Sequence, residues 1–187
     1  MVSTSEFEKG MVIKVEGQPW QILEFQFYKP GKGGAVMRTK LKNFQTGKIV
    51  EKTFRSGDKF EELNVDYKDA LYLYSDRRNS VFQLEEDGKR ISFPLDKVSE
   101  QIPFLKEKSK VEIVFLEEKP MGIVIPKKVA LKVKEAPPAI KGNTATAATK
   151  TVVLETGLKV NVPIFIKEGE TIIVNTDSGK YVERAKS

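Results

Sequence analysis

The chain has 187 residues, 40% of them apolar and 31% charged, with a net charge of +6. That is enough apolar material for folded cores and too much charge for a membrane-embedded protein, and the cation surplus favours an anionic partner, with nucleic acid first. Cysteine and histidine are both absent, which excludes a disulfide framework, thiolate chemistry, the commonest general base and the soft metal ligands; no metal site, cofactor or nucleophilic triad is expected.

The N-terminal MVSTSEFEKG carries no basic region followed by an apolar run, so the reading is a cytoplasmic protein without a signal peptide. The first segment, residues 1–64, reads as short strands at Met11–Val15, Trp20–Tyr28, Ala35–Asn43 and Ile49–Phe54, the pattern of a small barrel. In the second of these, Trp20, Ile22, Glu24, Gln26 and Tyr28 alternate with Leu23, Phe25 and Phe27. In the third, Met37, Thr39 and Leu41 can pack while Arg38, Lys40 and Lys42 form a row of cations.

Between these strands lies YKPGKGGA, Tyr28 to Ala35. Pro30 lacks a ladder donor, and Gly31, Gly33 and Gly34 are free to take the positive φ of a reversal, so pairing should stop near Lys29 and leave Lys32 at the apex. On turn chemistry alone this is an ordinary hairpin end with a solvated lysine; alternatively it is an amine held out on a slim stalk that fits a narrow cavity. A Schiff-base enzyme would need Lys32 desolvated or beside another cation, which a glycine-flanked apex does not supply.

The second segment, residues 65–127, opens with an extended run through Val65, Tyr67, Ala70, Tyr72 and Tyr74. Strands follow at Ser80–Leu84 and Arg90–Phe93, a short helix between Leu95 and Leu105, and strands at Lys110–Phe115 and Met121–Ile125, which together resemble an OB barrel. The third segment, residues 128–187, sets Val129, Leu131 and Val133 against Lys128, Lys132 and Lys134. It continues with strands at Thr151–Leu154, Lys159–Pro163, Phe165–Ile166, Thr171–Asn175 and Lys180–Val182, a second OB-like pattern. Ala136–Lys150, rich in Pro, Ala, Thr and Gly, reads as an exposed loop. The predicted fold is all-β, built of small barrels.

Two blocks in this order resemble bacterial elongation factor P: KPGKGGA with its flanking strands and Thr53-Phe54-Arg55-Ser56-Gly57, then GLKVNVPIFIKEGETIIVNTDSGKYVERAK from Gly157 to Lys186. The resemblance spans the chain. It implies an L-shaped monomer, an SH3/KOW-like barrel followed by two OB barrels, that acts without catalysing a reaction. Such a factor binds the ribosome between the peptidyl and exit sites, touches rRNA of both subunits and assists peptide-bond formation at consecutive prolines.

It further implies that Lys32, flanked by Lys29, Pro30, Gly31, Gly33 and Gly34, reaches the CCA end of peptidyl-tRNA and is extended by a lysine-modifying enzyme, with a β-lysyl group or another amine. Gly142, Asn143 and Thr144 would contact the exit-site mRNA codon, and Tyr181 and Arg184 would contact small-subunit RNA; the cation row of Arg38, Lys40 and Lys42, read from the strand pattern, would then contact RNA backbone, or else is a solvated barrel face. Two departures stand out: Asn143 replaces the family's Asp, and Ser92-Phe93-Pro94-Leu95-Asp96 replaces an acidic, aromatic stretch. The hypusine-bearing eukaryotic and archaeal factor shares two barrels and the tip lysine but lacks a third, so the segment from Val129 onward argues against it. A general single-stranded RNA-binding OB protein is the alternative from another class; it would give the tip no role.

Overall fold

A computed structural model describes residues 1–138 and 148–185. By internal contacts the chain forms two compact units, residues 1–66 with 115–121, and residues 67–114 with 122–187.

The first unit is built on strands β1 (Val2–Ser3), β2 (Val12–Val15), β3 (Gln18–Tyr28), β4 (Val36–Asn43), β5 (Ile49–Arg55) and β6 (Lys59–Leu63). They form one sheet in the order β1-β6-β2-β3-β4-β5. Apolar residues at alternate positions of β2, β4 and β5 turn inward, and Ile13, Ile22, Met37, Leu41 and Phe54 meet Val2 and Phe7 in a common core. Phe54 and Phe60 lie 4.6 Å apart between ring centroids, a tilted contact that adds to simple area burial.

Each pair β2–β3, β3–β4 and β4–β5 is antiparallel, but β2 covers only Gln18–Gln21 of β3. Ile22 still bonds on that side, donating to the Met11 carbonyl at 2.8 Å and accepting from Gly10 N–H at 2.7 Å; beyond it β3 is paired with β4 alone, which carries the hairpin past the barrel wall. A tight turn from later in the chain also belongs to this unit. Glu117 and Glu118 both have positive φ, 48° and 65°. Glu117 exchanges two bonds with the backbone of Asn64: its carboxylate accepts the Asn64 N–H at 2.6 Å, and its own N–H donates to the Asn64 carbonyl at 3.0 Å.

The second unit carries two sheets. One contains β7 (Val65–Ser75), β8 (Asn79–Leu84), β9 (Arg90–Pro94), β10 (Lys110–Leu116) and β11 (Lys119–Val124), of which residues 65–66, 115–116 and 119–121 count with the first unit. The other contains β12 (Lys128–Glu135), β13 (Thr149–Leu154), β14 (Lys159–Pro163), β15 (Thr171–Asn175) and β16 (Tyr181–Arg184). Their orders are β11-β10-β7-β8-β9 and β14-β13-β12-β15-β16. Numbered from the first strand of each, both read third, second, first, fourth, fifth, so the same OB-type topology occurs twice.

The helix expected over Leu95–Leu105 is broken in two: α1 covers only Leu95–Val98, and a separate 3₁₀ turn covers Ile102–Phe104. Pro103 fits an early position of that turn, where no helical donor is lost. The turn delivers Phe104 into the core of the last sheet, against Leu131, Val152, Val160 and Ile172. Lys106 pairs with Glu155 at 3.2 Å beside it.

Other differences from the sequence reading have local causes. β1 and β6 were not expected, being short and rich in polar side chains. The strand expected at Phe165–Ile166 is instead a turn, in which Ile166 N–H donates to the Pro163 carbonyl at 3.1 Å. Among the described residues no helix is long and apolar enough to cross a membrane, and no cluster of His, Cys, Asp and Glu is arranged to hold a metal.

Candidate functional site

The β3–β4 hairpin is in register from Trp20↔Asn43 to Tyr28↔Val36, with one irregularity between Ile22 and Glu24. This bulge reverses the alternation that the sequence suggested. Ile22 lies opposite Leu41, and after the extra residue Phe25 lies opposite Thr39 and Phe27 opposite Met37. Phe25 and Phe27 therefore share the inner face with Ile22, while Glu24, Gln26 and Tyr28 face outward. The core does not extend far enough to cover them, and they are 42% and 55% exposed.

Pairing ends at Tyr28↔Val36. The seven-residue tip Lys29–Ala35 is closed at its base by a bond from Ser56 N–H to the Ala35 carbonyl, 2.9 Å long. Gly33 has φ +120°, and a Cβ placed there would sit 3.6 Å from Pro30 Cγ; Gly31 and Gly34 avoid positive φ and have nothing within 4 Å of such a Cβ. Of the three glycines free to take positive φ, only Gly33 uses that freedom, because a single reversal of φ suffices to turn the chain once Pro30 has fixed its entry. Lys32 is exposed. Among the described residues it enters no hydrogen bond or ion pair. Lys29 is exposed and Pro30 partly buried at the root of the tip.

Arg38, Lys40 and Lys42 occupy one face of β4, while Met37, Thr39 and Leu41 are buried on the other. Thr39 keeps its hydroxyl satisfied by donating to the Lys52 carbonyl at 2.7 Å. The cations are not equivalent. Lys40 stands between Glu24 on β3 and Glu51 on β5 and pairs with Glu24 at 3.9 Å. Arg38 lies between Gln26 and Thr53 and stacks its guanidinium 4.3 Å from the Tyr28 ring centroid. Lys42 lies between Gln21 and Ile49. An open groove alongside is lined by Lys9, Glu24, Arg38, Lys40, Glu51 and Lys52 among others, so its field is mixed; of the three β4 cations, Arg38 and Lys42 lack an acidic register partner.

In the second unit Tyr181 lies opposite Val174 and packs partly buried on the last core. Arg184 is exposed opposite Ile172. Gly142, Asn143 and Thr144 lie outside the described residues. Sequence reasoning missed two features here: the exposure of Phe25 and Phe27, set by a bulge with no clear sequence mark, and Phe165, whose ring lies beneath the Arg184 guanidinium. The turn residues Pro163 and Gly169 flanking Phe165 were the available signal.

Comparison with known proteins agrees with this architecture segment by segment. Residues 3–60 match the KOW-like domain of elongation factor P, residues 65–123 its OB domain, and residues 129–184 its C-terminal domain. The chain is 40% identical over 185 residues to elongation factor P of Moorella thermoacetica, covering 99% of this chain and 100% of that protein. Among solved structures it is similar in fold to eukaryotic translation initiation factor 5A from Methanococcus jannaschii, at 19% identity and a TM-score of 0.54, over 66% of this chain and 93% of that one. The shorter factor thus accounts for only part of this chain, whereas the Moorella relative spans all three domain matches. On that evidence the chain belongs to the elongation factor P family of translation factors.

Proposed function

We propose that this protein binds the ribosome between the peptidyl and exit sites and accelerates peptide-bond formation at consecutive prolines by steadying peptidyl-tRNA, with Lys32 as the contacting group. The observation that carries the reading is the tip itself. The exposed amine of Lys32 stands at the end of a two-stranded arm, and two of its flanking glycines have open space where side chains would stand. Inside this molecule nothing requires that bareness; a narrow RNA-lined cavity would. Proline is stiff and a poor participant in transfer, and an ammonium bonded to the tRNA end restores orientation without making or breaking a bond. The factor is an accessory rather than an enzyme.

Extension of Lys32 by a modifying enzyme, with a β-lysyl or other amine, lengthens this reach while keeping a positive end. Arg38 and Lys42 make the principal phosphate contacts of the arm, and Lys40 contributes less because Glu24 already engages it. Tyr181 and Arg184 meet small-subunit RNA, and Gly142, Asn143 and Thr144 read the exit-site codon. A cytoplasmic location follows from this role.

The test is a reporter interrupted by three consecutive prolines, translated in cells that lack the native factor. Lys32→Ala is expected to fold normally and to lose rescue. Full rescue by Lys32→Ala would refute the role given to Lys32.

A further inference from the structure

Between β14 and β15 the chain makes a turn whose phase is fixed by one residue. Ile166 is fully buried in the last core, so its neighbours Ile164 and Phe165 are driven outward and stand 40% and 56% exposed. Phe165 is not among the residues that form or pack on the last core, yet it is not left bare. The guanidinium of Arg184 on β16 lies over its ring, 5.6 Å from the centroid, within the range of a cation–π contact. Arg184 is held from the other side as well, its Nη1 donating to Glu170 Oε1 at 3.2 Å, while Glu170 Oε2 accepts the Lys167 N–H at 2.6 Å. Those two contacts, the Lys167 N–H first, keep the Glu170 carboxyl below the usual carboxylate range, so the anchor stays charged.

We propose that Phe165, with Arg184 laid over it, is a stacking seat for an unpaired base of RNA. This rests on the reading that RNA lies against the C-terminal barrel, and deepens it by naming a residue and a kind of contact. Two planar groups are already in place, with the ring and the Arg184 side chain both more than half exposed. A base sliding onto them finds a flat surface whose ordering cost has been met in advance.

The charge pattern selects a base over a phosphate. Arg184 is compensated by Glu170, and Glu168 and Glu183 adjoin the cluster in sequence. The site therefore offers no surplus of cations to a phosphate, and it reads the face of a nucleotide rather than its backbone. The net charge of +6 supplies the long-range attraction to RNA that an apolar protein partner would not need.

The experiment uses the full chain and ribosomes carrying peptidyl-tRNA with a vacant exit site. Phe165→Ala is expected to keep the native Tm and to bind roughly tenfold more weakly, the scale of one lost base stack. The slope of affinity against salt should stay native, because no phosphate contact is removed. Phe165→Trp should restore affinity, and its added indole fluorescence should be quenched on binding. Native affinity in Phe165→Ala overturns the proposal. So does weakened binding in Phe165→Ala together with an unquenched Phe165→Trp, which would assign the seat to a protein surface.

If the native chain fails to bind ribosomes, the proposed function falls by itself. The seat is then decided with a mixed-sequence single-stranded oligoribonucleotide: quenching of Phe165→Trp by the single strand and not by its duplex supports it, and no quenching overturns it.

Discussion

Among the tip glycines only Gly33 is required by the chain's own conformation. At φ +120° an L side chain is strained by on the order of 1–3 kcal/mol, so Gly33→Ala should lower stability by about that amount. Gly31→Ala and Gly34→Ala should leave thermal unfolding close to native, since an added methyl meets nothing within 4 Å. If the tip enters a confined site, those two variants should nevertheless lose rescue of proline stalls. The comparison of Tm with reporter output separates the two kinds of glycine, and a silent Gly31→Ala in both assays would show that the bare flank has no external reason. Lys32 itself was legible in the sequence because Pro30 and the glycines delimit it. Which glycine carries the positive φ was not, because several turn geometries satisfy the same composition.

At the scale of elements, the hairpins of this protein repeat one device. Asn43 Oδ1 accepts the N–H groups of Gln45 and Thr46, and Asn175 Oδ1 accepts those of Asp177 and Ser178. Both turns then close through a glycine N–H, Gly47 to the Asn43 carbonyl and Gly179 to the Asn175 carbonyl, each 2.9 Å. A side-chain acceptor at the head of a turn satisfies donors that a strand ladder cannot reach.

Asp76 does the same between β7 and β8, with Oδ1 accepting from Arg78 at 2.7 Å and Asn79 at 2.8 Å. These backbone donors hold its carboxyl below the usual range. A depressed carboxyl stabilises the fold above its unfolded pKa and loses that contribution as pH falls through the lower folded value. Native protein should therefore lose Tm on acidification below about pH 4, the ordinary aspartate range. Asp76→Asn should lose less over the same interval while starting from a lower Tm at neutral pH. An acid profile identical to native would show that Asp76 contributes nothing to it.

Gly47 and Gly179 mark two of these hairpins in the sequence, whereas the accepting roles of Asn43, Asn175 and Asp76 emerge only from the structure. The bulge at Leu23–Glu24 was hidden, because Leu23 suits either face and one extra residue inverts every side chain beyond it. For the same reason the exposed Phe25 and Phe27 could not be told from core residues. β1 and β6 escaped notice because edge strands of a few polar residues carry no alternation to read.

At the scale of the molecule, the OB patterns of the middle and last segments were visible as strands at regular spacing, and the recurrence of one strand order bears that out. What spacing could not disclose is the placement of Phe104, a residue of the middle segment that completes the core of the last one. Its burial is a tertiary fact with no local signature. Phe104→Ala should cost about 3–5 kcal/mol, the range for truncating a buried phenylalanine. Because that side chain belongs to the last core, the loss should appear in the unfolding of the second unit, read by hydrogen exchange at Leu131, Val152 and Ile172. Unchanged exchange at those amides would mean that the last core closes without it. The basic balance of the chain and the arm's cationic face were readable from composition and alternation, whereas the neutralising effect of Glu24 on Lys40 emerged only from register.

The most direct test of the account is the single-turnover rate of proline–proline bond formation on purified ribosomes, with native chain against Lys32→Ala at saturating concentration. The native chain should accelerate the step, and Lys32→Ala should lose between about tenfold and 100-fold of that rate, the scale of a misplaced reacting group, while still binding. Equal acceleration by both chains would contradict the claim that the exposed amine at the end of the arm is the working part of the protein.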